Sequence, residues 1–337
     1  MIVFKALKYI SYILINRPKG WVNLILNQAA AFLRLTYAPA LPTYISIEPT
    51  NLCDQKCPVC ETGLGILNRP RGLMSLENFK KIIDKIYKHT NGILLYFMGE
   101  TFLNKDAYEM IKYAKSKNIF VEACTNGNVV DGKKLIDSGI DEIQFQIGGT
   151  TQEIHQIYRV GGNLEKTINN IKTAVERKKE TGAKTRIILG FIVMKHNEHQ
   201  VEDFWKLAKE LGVDRGEIVN PCVRNRQDGE RFLPKNKKYW IYNKELFDRE
   251  KIIKMIKSPK NSCWWIWHTT VITWDGNVVP CCRDPKAEYI MGNIFEEDLK
   301  DIWNNKKYRA FRKQVLTNRK NIPICRLCSG YALPYLR

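Results

Sequence analysis

The sequence lacks the features of a secreted or membrane-spanning protein. None of its apolar runs is long enough to cross a bilayer. The apolar amino-terminal stretch carries no small-residue cleavage signature of a signal peptide. Histidine is scarce, and its five residues form no pair at metal-ligand spacing. We therefore expect a cytoplasmic protein, and we look to cysteine rather than histidine for metal ligands.

Acidic residues are few relative to basic ones, with 35 Asp and Glu against 54 Lys and Arg and a formal net charge of +19. A strongly basic protein favours anionic partners, such as anionic lipids, phosphorylated molecules or nucleic acid. No recognised nucleic-acid-binding motif accompanies this charge, so we rank nucleic acid below the other two. A lysine-rich surface on an ordinary enzyme would explain the same charge.

Acidic residues are absent from residues 1–47, where basic residues are interspersed with aliphatic and aromatic ones. Such a mixture suits a helix that lies on an anionic membrane surface. It also suits an amino-terminal helix that packs on the protein's own core. We treat residues 1–42 as a basic amphipathic segment, and peripheral membrane association through residues 1–36 is one interpretation of it.

The ten cysteines cluster at metal-ligand spacing, which in a chain of 337 residues indicates reduced thiolates rather than disulfides. Cys53, Cys57 and Cys60 form a C-x3-C-x2-C loop directly after an apolar alternating run. A four-iron cluster is normally held by four cysteines, so three thiolates leave one iron open for a small molecule. The alternatives are a zinc site, which usually shows two separated cysteine pairs, and three unrelated buried thiols.

Residues 43–220 alternate short apolar runs with helical patterns. The predicted strands are 43–48, 93–98, 119–124, 142–147, 186–193 and 217–219. The predicted helices between them are 75–89, 104–117, 131–138, 163–180 and 198–211. This alternation predicts an α/β fold with a parallel sheet and right-handed crossovers. Active sites of such sheets lie at the carboxyl ends of the strands, and the cysteine loop begins at the end of the first strand.

The cysteine loop and the alternation together resemble the radical S-adenosylmethionine (radical SAM) enzymes over residues 43–220. The resemblance implies an open (β/α)6 barrel, a partial TIM barrel, with the cluster loop after its first strand. It also implies a [4Fe–4S] cluster whose free iron binds the amino and carboxylate groups of S-adenosylmethionine. Reductive cleavage of that cofactor would yield a 5′-deoxyadenosyl radical, which abstracts a hydrogen atom from a substrate C–H bond.

Several positions are similar to the cofactor-binding residues of that family. Gly99 and Glu100 stand where the family often has Gly-Gly-Glu, which receives the ammonium of S-adenosylmethionine. Thr125 and Asn126 begin a Thr-Asn-Gly turn that faces the cofactor. Val59 matches a hydrophobic position near the adenine.

The fourth predicted strand departs from the family pattern. Many relatives have a Ser-Ile-Asp-Gly sequence there, whereas this sequence has Gln146 followed by Ile-Gly-Gly. A glutamine still offers a donor and an acceptor for a ribose contact, but the acid is missing. Arg159 follows this strand, and it is predicted either to pair with the methionyl carboxylate or to be an ordinary surface arginine.

Residues 263–337 carry a second group of cysteines. Two β-branched runs around an Asp-Gly pair predict a β-hairpin over 269–280, which brings Cys263 and Cys281 towards each other. A helix predicted over 296–316 leads to a turn that contains Cys325 and Cys328. The hairpin and the turn can converge on one four-cysteine site, which could hold a cluster or a structural zinc ion.

The spacing from Cys263 through Gly276 to Cys281 resembles the opening of the SPASM auxiliary-cluster domain. A full SPASM domain has further cysteines after the final pair, and this sequence has none. The pattern is therefore more similar to the truncated "twitch" form, with one auxiliary [4Fe–4S] cluster held by four cysteines. The glycine spacing favours Cys281 over Cys282 as the ligand. Residues 221–262 are predicted to be a linker or substrate-covering loops.

The resemblance implies hydrogen abstraction but leaves several outcomes open. An auxiliary cluster with four cysteines is expected to pass electrons, which favours oxidation of a substrate radical. Cys222 follows the sixth predicted strand and could instead donate a closing hydrogen atom, which would give an epimer; a buried structural cysteine is the alternative.

The substrate is predicted from charge rather than from the motifs. We predict a sugar-like, phosphorylated or lipid-linked small molecule, with a flavodoxin or ferredoxin as the electron donor. A peptide-modifying radical SAM enzyme is the first alternative. A non-catalytic iron–sulfur or zinc protein, acting as a scaffold or electron carrier, is the second.

Overall fold

The computed structural model describes residues 18–328 and residue 330, and its centre is one open sheet. Six parallel strands form most of this sheet, in the order β6-β5-β4-β3-β2-β1. Their bounds are β1 Tyr44–Ile47, β2 Gly92–Leu94, β3 Phe120–Thr125, β4 Glu142–Ile147, β5 Arg186–Ile192 and β6 Arg215–Val219. The sheet does not close, so the prediction of a partial (β/α)6 barrel is confirmed.

Helices connect the strands and cover the outside of the sheet. The α-helices up to β6 are Pro18–Phe32, Glu61–Leu64, Leu76–Ile86, Ala107–Ser116, Gly132–Asp137, Gln152–Tyr158, Leu164–Thr181 and Val201–Glu210. The helix Leu76–Ile86 shows why these segments are helical. The side chain of Ser75 accepts a hydrogen bond from the Asn78 amide and caps the first turn. The buried residues Phe79, Ile82, Ile83 and Ile86 then recur at helical spacing and bury one face in the core.

The carboxy-terminal hairpin extends the barrel sheet, which the sequence did not reveal. Strand β7 (Thr269–Ile272) pairs in parallel with β1 over its whole length. Strands β8 (Asn277–Val279) and β9 (Gly292–Asn293) follow as antiparallel neighbours, so the sheet has nine strands. The second group of cysteines is thus attached to the same sheet as the cysteine loop.

The predicted helix over 296–316 is two helices, Leu299–Asn304 and Lys306–Asn318. Asn305 separates them because its backbone is extended and its side chain accepts a hydrogen bond from the Tyr308 amide. This side chain stops one helix and caps the next.

Residues 221–262 are more ordered than predicted. The segment contains the helices Arg226–Phe232 and Lys244–Arg249, each begun by an asparagine cap. Within this segment, Trp240, Tyr242 and Phe247 belong to a small buried apolar cluster that is separate from the main core. A further short helix, Trp265–His268, leads into β7.

The helix Pro18–Phe32 packs on the rest of the protein through one face. Asn27 is fully buried and its side chain donates to the Leu41 carbonyl, and Ala30 is buried beside it. This agrees with the packed-helix interpretation for the described part of the segment, whereas residues 1–17 of the predicted membrane-binding segment lie outside the described residues. In the described part of the chain, no helix is both long and apolar enough to span a membrane.

Candidate iron–sulfur and cofactor site

The cysteine loop lies directly after β1 and is shaped by short backbone contacts. The Gln55 amide donates to Cys53 Sγ at 3.4 Å, and the Cys60 amide donates to the Cys57 carbonyl at 3.1 Å. Gly63 packs against this turn, where a Cβ atom would lie 2.5 Å from the backbone of Cys57. The three thiols are therefore presented on one tightly folded loop.

The end of β2 lies against the same loop, and this contact requires Gly99. Gly99 has φ of +79°, and a Cβ atom there would lie 2.5 Å from the Leu52 carbonyl oxygen. The next amide, that of Glu100, donates to this carbonyl at 2.7 Å. Glycine satisfies both the backbone conformation and the close approach.

Glu100 is fully buried, and its carboxylate is largely occupied by the protein. It accepts hydrogen bonds from the Thr125 hydroxyl at 2.8 Å, the Asn126 amide at 2.8 Å and the Phe102 amide at 3.3 Å. A carboxylate has about four acceptor positions, so one remains for a ligand. Burial raises the pKa of Glu100 to about 7 despite these donors. The residue both fixes the turn after β3 and faces the cavity.

Asp54, between the first two cysteines, was not predicted to have a role. Its carboxylate accepts from the Asn126 side chain at 2.7 Å and from the Asn128 side chain at 2.8 Å. Asn126 Nδ2 also lies 4.0 Å from Cys53 Sγ. Asp54 thus ties the cysteine loop to the Thr-Asn-Gly turn. Residue spacing alone could not show this, because the partners are more than seventy positions apart.

A cavity of about 270 Å³ lies between the cysteine loop and the carboxyl ends of the strands. Nine predicted residues line it, together with Gln55 and Cys124: Cys53, Cys57, Cys60, Gly99, Glu100, Thr125, Asn126, Gln146 and Arg159. Val59 does not; it packs with Tyr158 and Met194 and lines a neighbouring cavity.

Four buried polar atoms of residues that line this cavity have no hydrogen-bond partner in the described structure: Gln55 Nε2, Thr62 Oγ1, Gln146 Oε1 and Arg159 Nε. Buried polar groups without partners are costly, so a polar ligand at this place would be stabilising. A cofactor with a carboxylate and ribose hydroxyls offers an acceptor to Arg159 and a donor to Gln146. Arg159 also donates to Cys57 Sγ at 3.8 Å. These residues fit S-adenosylmethionine beside a cluster.

The thiols of the loop are chemically suited to a cationic cluster. Burial raises the pKa of Cys53 to about 12 and raises that of Cys57, although Arg159 opposes the shift at Cys57. Buried thiolates are unstable without a positive partner, and iron supplies that charge. The donor set on the loop therefore fits a metal cluster.

The cysteines of the second group influence one another electrostatically. Burial raises the pKa of Cys263 to about 12, and the nearby Cys328 and Cys325 raise it further. A hydrogen bond with Cys282, burial and the nearby Cys263 hold the pKa of Cys281 well above its usual value. Cys263 thus lies within electrostatic range of the other three predicted ligands.

No three His, Cys, Asp or Glu side chains among residues 18–328 and 330 form a set that could hold a single metal ion. In a four-iron cluster, each cysteine binds a different iron. Cys281 is buried, whereas Cys282 and Cys222 line a second cavity, of about 450 Å³. Val59 and Cys60 of the cysteine loop line this cavity, and Leu327 of the final turn lines it too.

A buried ion pair joins the cysteine loop region to the hairpin. Glu48, at the end of β1, accepts two hydrogen bonds from Arg69 at 2.7 and 2.5 Å. The same carboxylate accepts from the amides of Met98 and Trp274, at the ends of β2 and β7. Arg69 donates in turn to the Pro285 carbonyl at 2.8 Å. This pair therefore fixes three strand ends around the site.

An open α/β barrel, a three-cysteine loop and a second cysteine group define an iron–sulfur protein with a small-molecule cofactor. Comparison with known families agrees: residues 47–211 match the radical SAM superfamily, and residues 263–329 match SPASM, an iron–sulfur cluster-binding domain. The chain belongs to the radical SAM superfamily and has a SPASM-type carboxy-terminal region. The predicted cofactors, a SAM-binding [4Fe–4S] cluster, an auxiliary cluster and S-adenosylmethionine, are confirmed.

Relatives with stated roles are similar over most of this chain. A tungsten-containing aldehyde ferredoxin oxidoreductase cofactor-modifying protein of Pyrococcus furiosus is 26% identical over 85% of this chain and 87% of its own length. The antilisterial bacteriocin subtilosin biosynthesis protein AlbA of Bacillus subtilis is 27% identical over 79% of this chain and 60% of its own length. The crystal structure of BtrN in complex with AdoMet and 2-DOIA matches with a TM-score of 0.54 and 19% identity, covering 87% of this chain and 95% of BtrN.

Proposed function

We propose that this protein oxidises a small molecule by hydrogen abstraction between its two cluster sites. The observation that carries the proposal is the cavity of about 450 Å³. Cys60 of the cysteine loop lines this cavity, and so do Cys282 and Leu327 of the carboxy-terminal cysteine region. A substrate in this cavity would be near the SAM-binding cluster and also near the auxiliary cluster. The first site can remove a hydrogen atom and the second can accept an electron.

The chain's own residues have separable roles in this proposal. Cys53, Cys57 and Cys60 hold the first cluster, and Cys263, Cys281, Cys325 and Cys328 hold the auxiliary cluster. When bound, the first cluster and S-adenosylmethionine supply one electron and a carbon-centred radical. Arg159 would bind the methionyl carboxylate, Gly99 and Glu100 its ammonium, and Gln146 the ribose. Val59, with its apolar neighbours, would exclude water from the adenine.

The substrate class in this proposal is a sugar-like, phosphorylated or lipid-linked molecule, and oxidation is preferred over epimerisation. Support for oxidation comes from the second cysteine group, whose four thiols leave no iron open. Cys222 lines the same cavity and supports epimerisation as the second outcome. Similarity to a bacteriocin biosynthesis protein favours a peptide as the second substrate class.

The test uses anaerobically reconstituted protein and a perdeuterated cell extract separated by size. We expect about eight irons per chain, from two four-iron clusters. We also expect reductive formation of 5′-deoxyadenosine, with deuterium transferred from a fraction of low molecular mass that survives protease treatment. If protease treatment of the extract abolishes deuterium transfer, the substrate is a peptide rather than a sugar-like small molecule. No 5′-deoxyadenosine from the fully loaded, reduced protein would contradict the enzyme.

The helix Pro18–Phe32 supports a second proposal, peripheral association with an anionic membrane. Its outer face is mostly apolar, with Val22, Ile25, Leu26, Ala29 and Phe32 exposed and Gln28 as the exposed polar residue among them; the exposed Leu33 follows the helix. Residues 1–47 carry basic residues and no acid, which matches an anionic lipid surface rather than a basic or neutral partner.

This second proposal is tested by replacing the outer face rather than removing the helix, because Asn27 and Ala30 belong to the core. The variant Ile25→Gln, Phe32→Gln, Leu33→Gln should lose sedimentation with phosphatidylglycerol vesicles. A control with exposed apolar residues elsewhere, Ile252→Gln and Ile256→Gln, should bind as the native protein does. Unchanged binding by the first variant would refute the proposal, and a lost dimer in place of lost vesicle binding would identify a second copy as the partner.

A further inference from the structure

The cavity between the two cysteine groups carries an excess of positive charge. Three arginines line it, Arg224, Arg283 and Arg326, against a single carboxylate, that of Glu61. Guanidinium groups remain protonated in proteins, so the lining has a net charge of about +2. The cavity lies between the cluster loop and the final cysteine turn, so this charge faces the proposed substrate site.

The first arginine is held rigidly against the cluster loop. Arg224 Nε donates to the Val59 carbonyl at 2.6 Å, and its Nη1 atom pairs with Glu61. Both partners adjoin Cys60, the third cysteine of the loop. Glu61 therefore pairs with Arg224, and the cavity lining contains two further arginines.

The second arginine belongs to the opposite part of the chain. Arg283 follows the adjacent pair Cys281 and Cys282, and its Nη2 atom donates to the Leu327 carbonyl. This hydrogen bond orients the guanidinium group of Arg283 at the cavity. Arg224 and Arg283 line the same cavity. Burial lowers the pKa of Arg224, and the positive charge of Arg283 acts in the same direction.

The third arginine is the exposed Arg326, within the turn between Cys325 and Cys328. It lines the same cavity as the other two. A cavity lined by three arginines and one carboxylate has a positive potential, which attracts an anion. Oxyanions are the ligands that guanidinium groups bind best, through paired charge-assisted hydrogen bonds.

We propose that Arg283 and Arg326, with Arg224 behind them, bind an oxyanion of the substrate, such as a phosphate ester, in the cavity between the two cluster sites. This inference rests on the proposed function in taking that cavity as the substrate site. An anchored anion would hold the reacting carbon between the SAM site and the auxiliary site. A neutral substrate of the same size would lack this anchor.

The experiment measures binding of matched probes to the reconstituted holoenzyme by anaerobic calorimetry in about 0.15 M salt, where exposed charges are screened. The probes are glucose, glucose 6-phosphate, glucuronate and inorganic phosphate. We expect glucose 6-phosphate or inorganic phosphate to bind at least tenfold more tightly than glucose. Preference for glucuronate instead would support the same site with a carboxylate as the anion.

Variants connect the probe to these residues. Arg326→Gln and Arg283→Gln should each weaken anion binding about tenfold, the loss expected for one charge-assisted hydrogen bond. Arg326→Lys should retain part of the affinity because it keeps the charge. The control Arg249→Gln removes an arginine that is 79% exposed and outside the cavity, and it should change neither anion binding nor basal cleavage of S-adenosylmethionine.

Two results would overturn the inference: equal binding of glucose and all three anions, or anion binding that Arg283→Gln and Arg326→Gln leave unchanged. Because Arg283→Gln could disturb the final turn, Arg326→Gln with an unchanged iron content decides the matter. Formation of 5′-deoxyadenosine is measured on the same samples. Cleavage without arginine-dependent anion binding refutes the anion site alone, whereas anion binding without cleavage refutes the proposed function and leaves the anion site.

Discussion

Removing Arg69 should destabilise the protein more than any exposed ion pair can. The side chains of Arg69 and Glu48 are 7% and 0% exposed, and they form two charge-assisted hydrogen bonds. Breaking a buried pair from one side leaves an uncompensated charge and costs about 3–5 kcal/mol. We therefore expect Arg69→Met to lower the free energy of unfolding of the apoprotein by about that amount. The double variant Arg69→Met, Glu48→Gln should recover about 1–2 kcal/mol, since no charge then remains buried.

The pH dependence of this loss has a defined sign. Burial already holds the pKa of Glu48 above its usual value, and Arg69 opposes that shift. Without Arg69 the pKa of Glu48 rises further. A carboxyl group with a raised folded-state pKa stabilises the fold below its unfolded pKa and loses that contribution as pH rises through the folded pKa. The deficit of Arg69→Met should therefore be smaller at pH 5 than at pH 8.

Urea unfolding followed by tryptophan fluorescence measures these differences, because Trp274 donates its amide to the Glu48 carboxylate. The control is Lys81→Met, which removes an ion pair to Glu77 whose side chains are 58% and 77% exposed. Exposed pairs contribute about 0–1 kcal/mol, so this control should change little. A loss below about 1 kcal/mol for Arg69→Met, or one that is the same at both pH values, would refute the reasoning.

Three further predictions follow from the site. Gly99→Ala places a Cβ atom 2.5 Å from the Leu52 carbonyl oxygen and should lower iron incorporation at the first site. Its control is Gly182→Ala, at a similar positive φ but with open space around the Cβ position; it should lower the free energy of unfolding by only about 1–2 kcal/mol, the cost of backbone strain. Cys281→Ser should reduce the iron content by about four per chain and Cys282→Ser should not, as measured by iron analysis after reconstitution. A loss in Cys282→Ser alone would make Cys282 the ligand, and equal losses would contradict the assignment of a single ligand. Burial raises the pKa of Glu100 to about 7, so in the apoprotein its contribution to the free energy of unfolding should fall as pH rises from about 4.5 to about 7. If the difference in the free energy of unfolding between native protein and Glu100→Gln stays constant over that range, the prediction is contradicted.

The sequence predicted the strands well because buried parallel strands are short, continuous apolar runs. Strand β4 has the predicted bounds of 142–147, and β1 and β5 differ by at most one residue at each end. The strand predicted over 93–98 is shorter, because β2 ends at Leu94. The predicted helix over 296–316 was wrong because one asparagine, Asn305, can either continue a helix or cap a new one. Its side-chain hydrogen bond to the Tyr308 amide decides between these, and apolar spacing does not report it.

The functional residues that the sequence did not reveal are those whose partners are distant in the chain. In the sequence, Asp54 is only a residue between two cysteines; the fold brings Asn126 and Asn128 into hydrogen-bond contact with its carboxylate. Arg69 lies in a polar stretch, and only the fold shows that it neutralises Glu48. The spacing of Cys53, Cys57 and Cys60, in contrast, is local information, because these three predicted ligands lie on one short loop.

Continuity of the sheet explains how this chain can hold two cluster sites around one cavity. Strand β7 pairs with β1 from Tyr44–Thr269 to Ile47–Ile272, so the hairpin is attached by backbone hydrogen bonds rather than by the segment 221–262. Glu48 then binds the amide that follows β7, which fixes the two strand ends together. The spacing between the two cysteine groups is therefore set by the sheet. Changes in the length of 221–262 should alter access to the cavity without altering that spacing. Under the proposed function, such changes would affect substrate choice and leave electron transfer between the two sites intact.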